Sequence, residues 1–365
     1  MKIELKQVLY PQPKSKIKAS DGKSEGKYKF FTSSPMQTRF IDEANYDKPS
    51  LIFGTGGNAS VHFCDEPFST STDCLVMYGR NKIELESIYN YLKGNISLLE
   101  HGFKGAGLKH ISKDYILAIE IELPSEAMQH EFLQKNQIVD EIIEAKRTQL
   151  LLSEDLVKSR FIEMFGDPVT NPLRWAMLPL EKCLTVLGGY AFKSEEFKTS
   201  GVPVLRIGNI NTGAFTPTNM VYWSKDDCLT RYQVLPGDLV ISLTGTVGKD
   251  DYGNVCILGN AYPMYYLNQR NAKLILDDEL NKHYLSELLK FSQIKKKLTG
   301  ISRGVRQANI SNRDILNLVV PIPPIEIQVQ FAAFVEQVDK SKFEIQQSLE
   351  KLEILKKSLM QQYFG

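Results

Sequence analysis

The sequence predicts an α+β fold in which two globular mixed α/β domains are separated by two long antiparallel helices forming a coiled coil, with a pseudo-two-fold internal repeat. Three observations predict it. From Gly105 to Gly365 matching residues recur at one spacing without a gap: Pro124 on Pro323 (323 − 124 = 199), Gln129 on Gln328, Phe132 on Phe331, Val139-Asp140 on Val338-Asp339, Lys158-Ser159 on Lys357-Ser358 and Phe165-Gly166 on Phe364-Gly365. The stretches 125–165 and 325–364 hold neither Gly nor Pro and are rich in Glu, Gln, Lys, Leu, Ile and Ala, which are good helix formers. Ahead of each lie short apolar runs bounded by Gly, Pro, Asn and Asp, the signature of short strands.

Taken in order, residues 1–123 form the first domain, with a strand at Leu51-Ile52-Phe53 and a helical piece from Glu84 to Leu92. The central helix occupies 124–166; it starts just after Pro124, suited to a first turn, and ends at Gly166. Residues 167–322 form the second domain. Its strands fall at Val204-Leu205-Arg206-Ile207 and Leu239-Val240-Ile241-Ser242-Leu243, its turn at Pro236-Gly237-Asp238, and its helix at 280–297. The last helix occupies 323–365, where Val338, Ile345, Leu352 and Leu359 recur every seven residues, with Leu349 and Leu355 between them, as an imperfect heptad seam. A helix of about 40 residues is about 60 Å long and needs a partner for its apolar stripe. The simplest partner is the other copy, acting with it as a strut that holds the domains apart; two independent domain-capping helices are the alternative. A remaining face is open to another protein's helices.

Composition narrows the function. Hydrophobic content of 42% and aromatic content of 10% over 365 residues fit a globular protein with two cores. No apolar run approaches the roughly 20 residues of a membrane span and Met1-Lys2-Ile3-Glu4 opens no signal peptide, so the expectation is a cytoplasmic protein with no membrane partner. Cys64, Cys74, Cys183, Cys228 and Cys256 are widely spaced and unpaired in motif, as ordinary buried thiols would be. The net charge of +1 is unevenly spread. Residues 288–313 carry Lys290, Lys295, Lys296, Lys297, Arg303, Arg306 and Arg313 without an acid, and residues 101–113 carry Lys104, Lys109 and Lys113, also without one. Positive charge at equivalent places of two repeats is the footprint of a polyanion; a solvated surface is the bland alternative.

Two glycine-rich turns follow apolar strands, Gly54-Thr55-Gly56-Gly57-Asn58 and Thr244-Gly245-Thr246-Val247-Gly248-Lys249. Neither has phosphate-loop spacing, and both read as tight turns that bring backbone N–H groups and Thr or Asn side chains to a surface. The histidines make no metal spacing, so no metal is expected. Glu4-Leu5-Lys6 and Glu25-Gly26-Lys27 contain the E-x-K of metal-dependent nucleases, which arises by chance in a lysine-rich stretch, and Asn171-Pro172-Leu173 does not supply an adenine-methyltransferase motif. The expectation is a chain without chemistry of its own. Gln269-Arg270-Asn271 and Arg303, Arg306, Gln307 and Asn309 carry the residue types that read base edges, Arg on guanine and Asn or Gln on adenine, unless they bond their own loops instead. Lys295 to Lys297 are expected on phosphates.

At this point the residues carry a likeness. Over essentially its whole length the chain resembles the specificity subunit of type I restriction-modification enzymes. The resemblance rests on Gly189-Tyr190-Ala191-Phe192-Lys193-Ser194, on Val202 to Ile210 with Arg206 and Asn209, on Asn268-Gln269-Arg270, and on the Ile322-Pro323-Pro324 to Gln328 entry into the last helix. Gly26 to Ser33 and Gly54 to Asn58, with Phe68-Ser69-Thr70-Ser71-Thr72, look like another variety of the same domain. The family implies two target recognition domains, each reading one half of a bipartite site on double-stranded DNA. Two methyltransferase subunits that use S-adenosylmethionine dock on the chain, and two restriction subunits that use ATP and Mg can join; no cofactor is implied for this chain. Ser71-Thr72-Asp73 stands roughly where Gln269-Arg270-Asn271 stands in the second half, so base contacts do not transfer and the target is expected to be asymmetric. The expected DNA contacts are Thr55, Asn58, Ser71, Thr72, Lys104, Lys109, Lys193, Arg206, Asn209, Thr244, Thr246, Lys249, Gln269, Arg270, Asn271, Lys296, Arg303, Arg306, Gln307 and Asn309. Two rivals stand beside this: a non-enzymatic coiled-coil scaffold whose domains bind RNA or protein, and a nuclease within the first 50 residues.

Overall fold

In a computed structural model, which describes residues 2–105, 107, 109–249, 251–300 and 307–365 with Gln307 given by its backbone, the chain divides into two units. One joins Met1–Thr148 to Ile345–Gly365; the other is Gln149–Glu344.

The first unit holds strands β1 (Lys2–Glu4), β2 (Tyr10–Pro11), β3 (Tyr28–Phe31), β4 (Arg39–Ile41), β5 (Ser50–Gly54), β6 (Ser60–Cys64), β7 (Phe68–Thr70), β8 (Cys74–Tyr78) and β9 (Glu120–Glu122), with helices α1 (Lys82–Gly94), α2 (Ser97–Glu100) and α3 (Lys113–Leu117). An antiparallel sheet runs β2-β8-β5-β6, a second sheet β4-β3-β7 with β3 and β7 parallel, and β1 pairs with β9. Leu5, Leu51, Phe53, Met77, Ile88 and Leu92 lie at its core, sealed by α1 against β5 and β6. Helix α4 (Glu126–Phe165) begins in this unit.

The second unit holds β10 (Ala176–Pro179), β11 (Leu184–Gly188), β12 (Val202–Leu205), β13 (Val221–Trp223), β14 (Gln233–Val234), β15 (Leu239–Ser242), β16 (Thr244–Thr246), β17 (Val255–Ile257), β18 (Tyr265–Leu267), β19 (Asn271–Leu276), β20 (Gln307–Asn309) and β21 (Val319–Ile322). Its helices are α5 (Lys282–Lys290), α6 (Ser292–Thr299), α7 (Asn312–Leu316) and the first part of α8 (Ile325–Phe364). The sheets run β11-β19-β15-β17 and β13-β12-β18-β14, with β12 parallel to β18, and β10 pairs with β21. The strand order of the first unit is therefore repeated, β2-β8-β5-β6 on β11-β19-β15-β17 and β4-β3-β7 on β13-β12-β18, although the two sets of strands share little sequence.

The repeat is written in bonds as well as residues. Ser112 and Ser311 cap α3 and α7 by accepting from the amides of Tyr115 and Asp314. The Gln129 amide donates to the Pro124 carbonyl at 2.9 Å, and the Gln328 amide to that of Pro323 at 2.7 Å, so each long helix is entered through the same turn. The Leu5 N–H donates to Ile119 and the Leu180 N–H to Leu318, both at 3.0 Å, extending the match to the start of each domain. Gly166 and Gly365 close the helices at φ +75° and +87°, a left-handed conformation that favours glycine.

Both long helices are continuous over 40 residues, and within each unit α4 and α8 pair antiparallel. In the first unit Phe132 packs on Tyr363 and Phe364, the Lys135 ammonium donates to the Tyr363 hydroxyl, Lys356 pairs with Asp140, and Arg147 with Glu353. In the second, Lys342 faces Glu154 at 3.8 Å and Phe331 packs on Phe161 and Phe165. The burial along α8, through Val338, Lys342, Ile345, Leu349, Leu352, Lys356, Leu359 and Tyr363, steps by alternating fours and threes, a heptad seam more regular than the leucines alone indicate. Leu355 departs from expectation: it is exposed, as is its repeat partner Leu156, and Lys356 takes the seam position by laying its stem inward and pairing its ammonium with Asp140. The single helix expected over 280–297 is two, because Phe291 is extended (φ −62°, ψ 122°) and turns its ring onto Phe161 at 4.9 Å. Four cysteines are buried, and burial pushes the thiols of Cys74 and Cys256 up to about 11 and about 12; Cys228 is exposed, against expectation. No helix among the described residues is long and apolar enough to cross a membrane.

Candidate nucleic-acid interface

In each unit the turns that leave the sheets meet at one place, tied by equivalent backbone bonds. In the second unit the turn between β18 and β19 is held three times: Asn268 N–H donates to Leu205 at 3.3 Å, Gln269 N–H to Tyr190 at 2.9 Å, and Leu243 N–H to Arg270 at 2.8 Å. The turn between β7 and β8 repeats them, Ser71 N–H donating to Phe31 at 2.8 Å, Thr72 N–H to Ile17 at 2.9 Å and Thr55 N–H to Asp73 at 2.8 Å. Next to these, Ile310 N–H donates to Leu243 in one unit and Ile111 N–H to Thr55 in the other. Ser71-Thr72-Asp73 therefore matches Asn268-Gln269-Arg270, one residue earlier than the sequence comparison placed it.

These bonds sort the expected contacts into side chains that face outward and side chains that build the turn. Gln269 and Arg270 are exposed. Asn271 is fully buried and its amide donates to the Leu205 carbonyl at 2.8 Å. Asn209 is buried and its amide donates to the carbonyls of Thr216 and Thr218, while its Oδ1 accepts from the Arg206 N–H. Both asparagines hold the backbone through their side-chain amides. Arg206 is half-buried with a terminal nitrogen on the Asn219 carbonyl at 2.5 Å. Thr244 is buried and donates to Asn309 Oδ1 at 2.8 Å across the β16/β20 ladder, with Asn309 itself exposed. Thr246 gives its N–H and hydroxyl to Asp251, which holds that carboxyl below the ordinary carboxylate range, and Lys249 is exposed on the turn that follows. Gly189 lets the 188–190 segment approach: a Cβ there would collide with the Asn268 carbonyl. Arg303 and Arg306 lie outside the described residues, as does the Gln307 side chain.

In the first unit Ser71 is fully buried against Cys74, Thr55 donates its hydroxyl to the Asp73 carbonyl at 2.9 Å, and Thr72 is half-buried. Asn58, Lys104 and Lys109 are exposed, and Lys104 is bonded through both backbone groups to His110. Of the lysines on α6, Lys296 and Lys297 are exposed; Lys295, also expected on a phosphate, is buried and donates to Asn254 at 2.5 Å. Lys193 is exposed beside Glu196 at 3.4 Å.

The cluster brings in two residues that are not among the expected contacts. His110, the repeat partner of Asn309, is exposed with Nδ1 at 3.1 Å from the Thr55 carbonyl. Tyr190 is exposed between Gly189 and the Gln269 amide, with its ring on Phe192 and Tyr232 at 4.9 and 5.3 Å. The repeat spacing was the available signal for the first, and the glycine pair ahead of an aromatic residue for the second.

Known proteins share both sequence and fold. The family model for the type I restriction modification DNA specificity domain matches residues 1–152 and 172–356. The specificity subunit of the type I restriction enzyme MjaVIII of Methanocaldococcus jannaschii is 24% identical over 387 residues, covering 97% of this chain and 89% of that protein. The EcoKI specificity subunit of Escherichia coli is 26% identical over 193 residues, 48% of this chain and 39% of its own length. The crystal structure of a type I restriction-modification S subunit from M. genitalium superposes with a TM-score of 0.64 at 16% identity, covering 100% of this chain and 96% of that one. A chain from a structure of complex assembly in the type I restriction-modification system gives 0.56 at the same identity, covering 100% and 97%. With the matched segments taking in both units and most of both long helices, the chain belongs to the type I restriction-modification DNA specificity family.

Proposed function

We propose that the chain is the part of a type I restriction-modification complex that selects DNA, without chemistry of its own. One observation carries the reading: a single scaffold of strands and turn-pinning bonds occurs twice and offers different side chains each time, Gln269 and Arg270 in one unit, Thr72 and Asp73 in the other. That is what reading two different half-sites requires. Residues 1–123 and 167–322 act as recognition domains and enter mainly the major groove, where each base pair has its own donor and acceptor pattern. The helices 124–166 and 323–365 set the number of unread base pairs between the half-sites and dock two modification subunits. Ile138, Leu152, Phe343 and Ile354, apolar and exposed on α4 and α8, supply area for that docking. S-adenosylmethionine belongs to the modification subunits, and ATP and Mg to restriction subunits where these join, all acting on cytoplasmic DNA.

The test is a methylation map of DNA from cells carrying this chain with its methyltransferase partner, against cells in which only this chain is disrupted. The expected result is loss of N6-methyladenine at one bipartite, asymmetric motif. An unchanged map with the methyltransferase expressed would replace this reading with the scaffold one, in which the domains bind RNA or protein.

The exposed residues divide by role. Lys296→Ala is expected to weaken binding to all sequences and lower the salt slope by about 1, as loss of one phosphate contact does. Arg270→Ala is expected to relax one position of the second half-site at a cost of about 1–3 kcal/mol. Binding titrations on cognate and random DNA over a salt series separate the two; equal losses on both DNAs for Arg270→Ala would remove it from base reading.

A further inference from the structure

At the position where the second unit presents Arg270, the first presents an acid. Asp73 is exposed and its backbone is fixed: its carbonyl accepts from the Thr55 N–H at 2.8 Å, the Thr55 hydroxyl at 2.9 Å and the Ser33 hydroxyl at 2.7 Å. The Arg270 carbonyl accepts the corresponding bond from the Leu243 N–H, which makes the two residues equivalent in the scaffold. No cation pairs with Asp73 among the described residues, although Lys104 and Lys109 stand on the segment that the Thr55 carbonyl ties in through Ile111 and His110. A carboxylate on a face that meets phosphates is repelled by them, and within a groove it finds a favourable partner only in a base donor. Cytosine and adenine both offer an exocyclic amino donor in the major groove, but adenine sets an N7 acceptor beside it, which suits an amide and repels a carboxylate, whereas guanine offers two acceptors there and suits an arginine fork; cytosine is the base that fits a carboxylate.

We infer that Asp73 is a specificity determinant of the first half-site, accepting from the N4 amino group of a cytosine, while Arg270 on the same scaffold reads a guanine in the second. The two units thus read a C·G pair from opposite strands with one turn. The inference rests on the DNA-selecting reading above, and deepens it by naming a residue and a base.

The experiment uses the full chain in complex with its modification subunits, on duplexes carrying the mapped target. In one series each cytosine of the first half-site, on either strand, is replaced by pyrimidin-2-one, which is cytosine without the amino group. One replacement is expected to weaken binding of the unsubstituted complex by about 5- to 150-fold. In the second series Asp73→Asn, nearly isosteric and leaving the pinned carbonyl in place, is expected to lose affinity for the target, to keep or gain affinity for random DNA, and to lose the response to that replacement. A carboxylate that merely lies near phosphates gives the opposite sign, Asn tightening binding to target and random DNA alike; that result overturns the inference, as does a variant that keeps the full response. A complex that prefers no bipartite site even unsubstituted would instead overturn the parent reading.

Discussion

Phe161→Ala is expected to destabilise the second unit by about 3–5 kcal/mol, the cost of deleting a fully buried aromatic ring and leaving part of its space unfilled. Phe161 has no exposed surface and touches four other rings: Phe165 and Phe291 at 4.9 Å, Tyr284 stacked at 5.4 Å and Phe331 edge-on at 5.5 Å. These rings come from α4, α5, the break before α6 and α8, so no single element can move in to fill the hole. The check is hydrogen exchange of β15 and β19 amides alongside thermal unfolding, with a midpoint loss on the order of 10 °C. Leu151→Ala, at a residue 66% exposed on the same helix, is the control and is expected within about 0.5 kcal/mol of the parent. A Phe161→Ala protein as stable as that control would show that the aromatic cluster is not what joins the helices to the second recognition domain.

The other large effect is on the site recognised. Seven residues added to each long helix, between Thr148 and Gln149 and between Glu344 and Ile345, fall at the borders of the two units and keep the heptad phase of both seams. The insertion adds about 10 Å to the helical pair, or about three base pairs of DNA. Methylation at the original spacing is expected to vanish and to reappear at the same two half-sites with a spacer longer by about three base pairs. Sequencing of modified DNA from cells bearing the insertion gives the answer directly; unchanged spacing would mean that something other than the helices measures the gap.

The parts legible in the sequence are those governed by uninterrupted local rules. The absence of Gly and Pro over 125–165 and 325–364 marks both helices to within a residue, because helix propensity is set residue by residue along one stretch, whatever partner the apolar stripe then packs against. The repeat spacing located Phe132 and Phe331, both fully buried, and the two glutamine turns. The common strand order was not legible. Leu5 matches Leu180, Ser71 matches Asn268 and Thr55 matches Leu243, so loops of different length shift the register again and again within the domains, where surface insertions cost little. Residue type alone marks the base-reading candidates, and type does not tell Gln269 from Asn271: one is exposed and the other is buried with its amide on Leu205. Polar residues that satisfy a buried backbone look in sequence like polar residues that meet a ligand. Lys295 and Lys296 differ in the same way, one turned into the domain by the phase of α6 and the other away from it.

The composition of the first unit also sets a timetable. Its segment Met1–Thr148 leaves the ribosome early, yet Phe132 and Tyr91 are covered by Tyr363 and Phe364, which belong to Ile345–Gly365. At about 5–20 residues per second, the whole second unit must be translated first, which takes on the order of 10–40 s. Throughout that interval the first half of α4 carries an uncovered apolar seam, and the second unit, complete within Gln149–Glu344, is the first able to close. The amino-terminal half is thus synthesised first and finished last, and for that time it depends on whatever in the cell shields a nascent amphipathic helix.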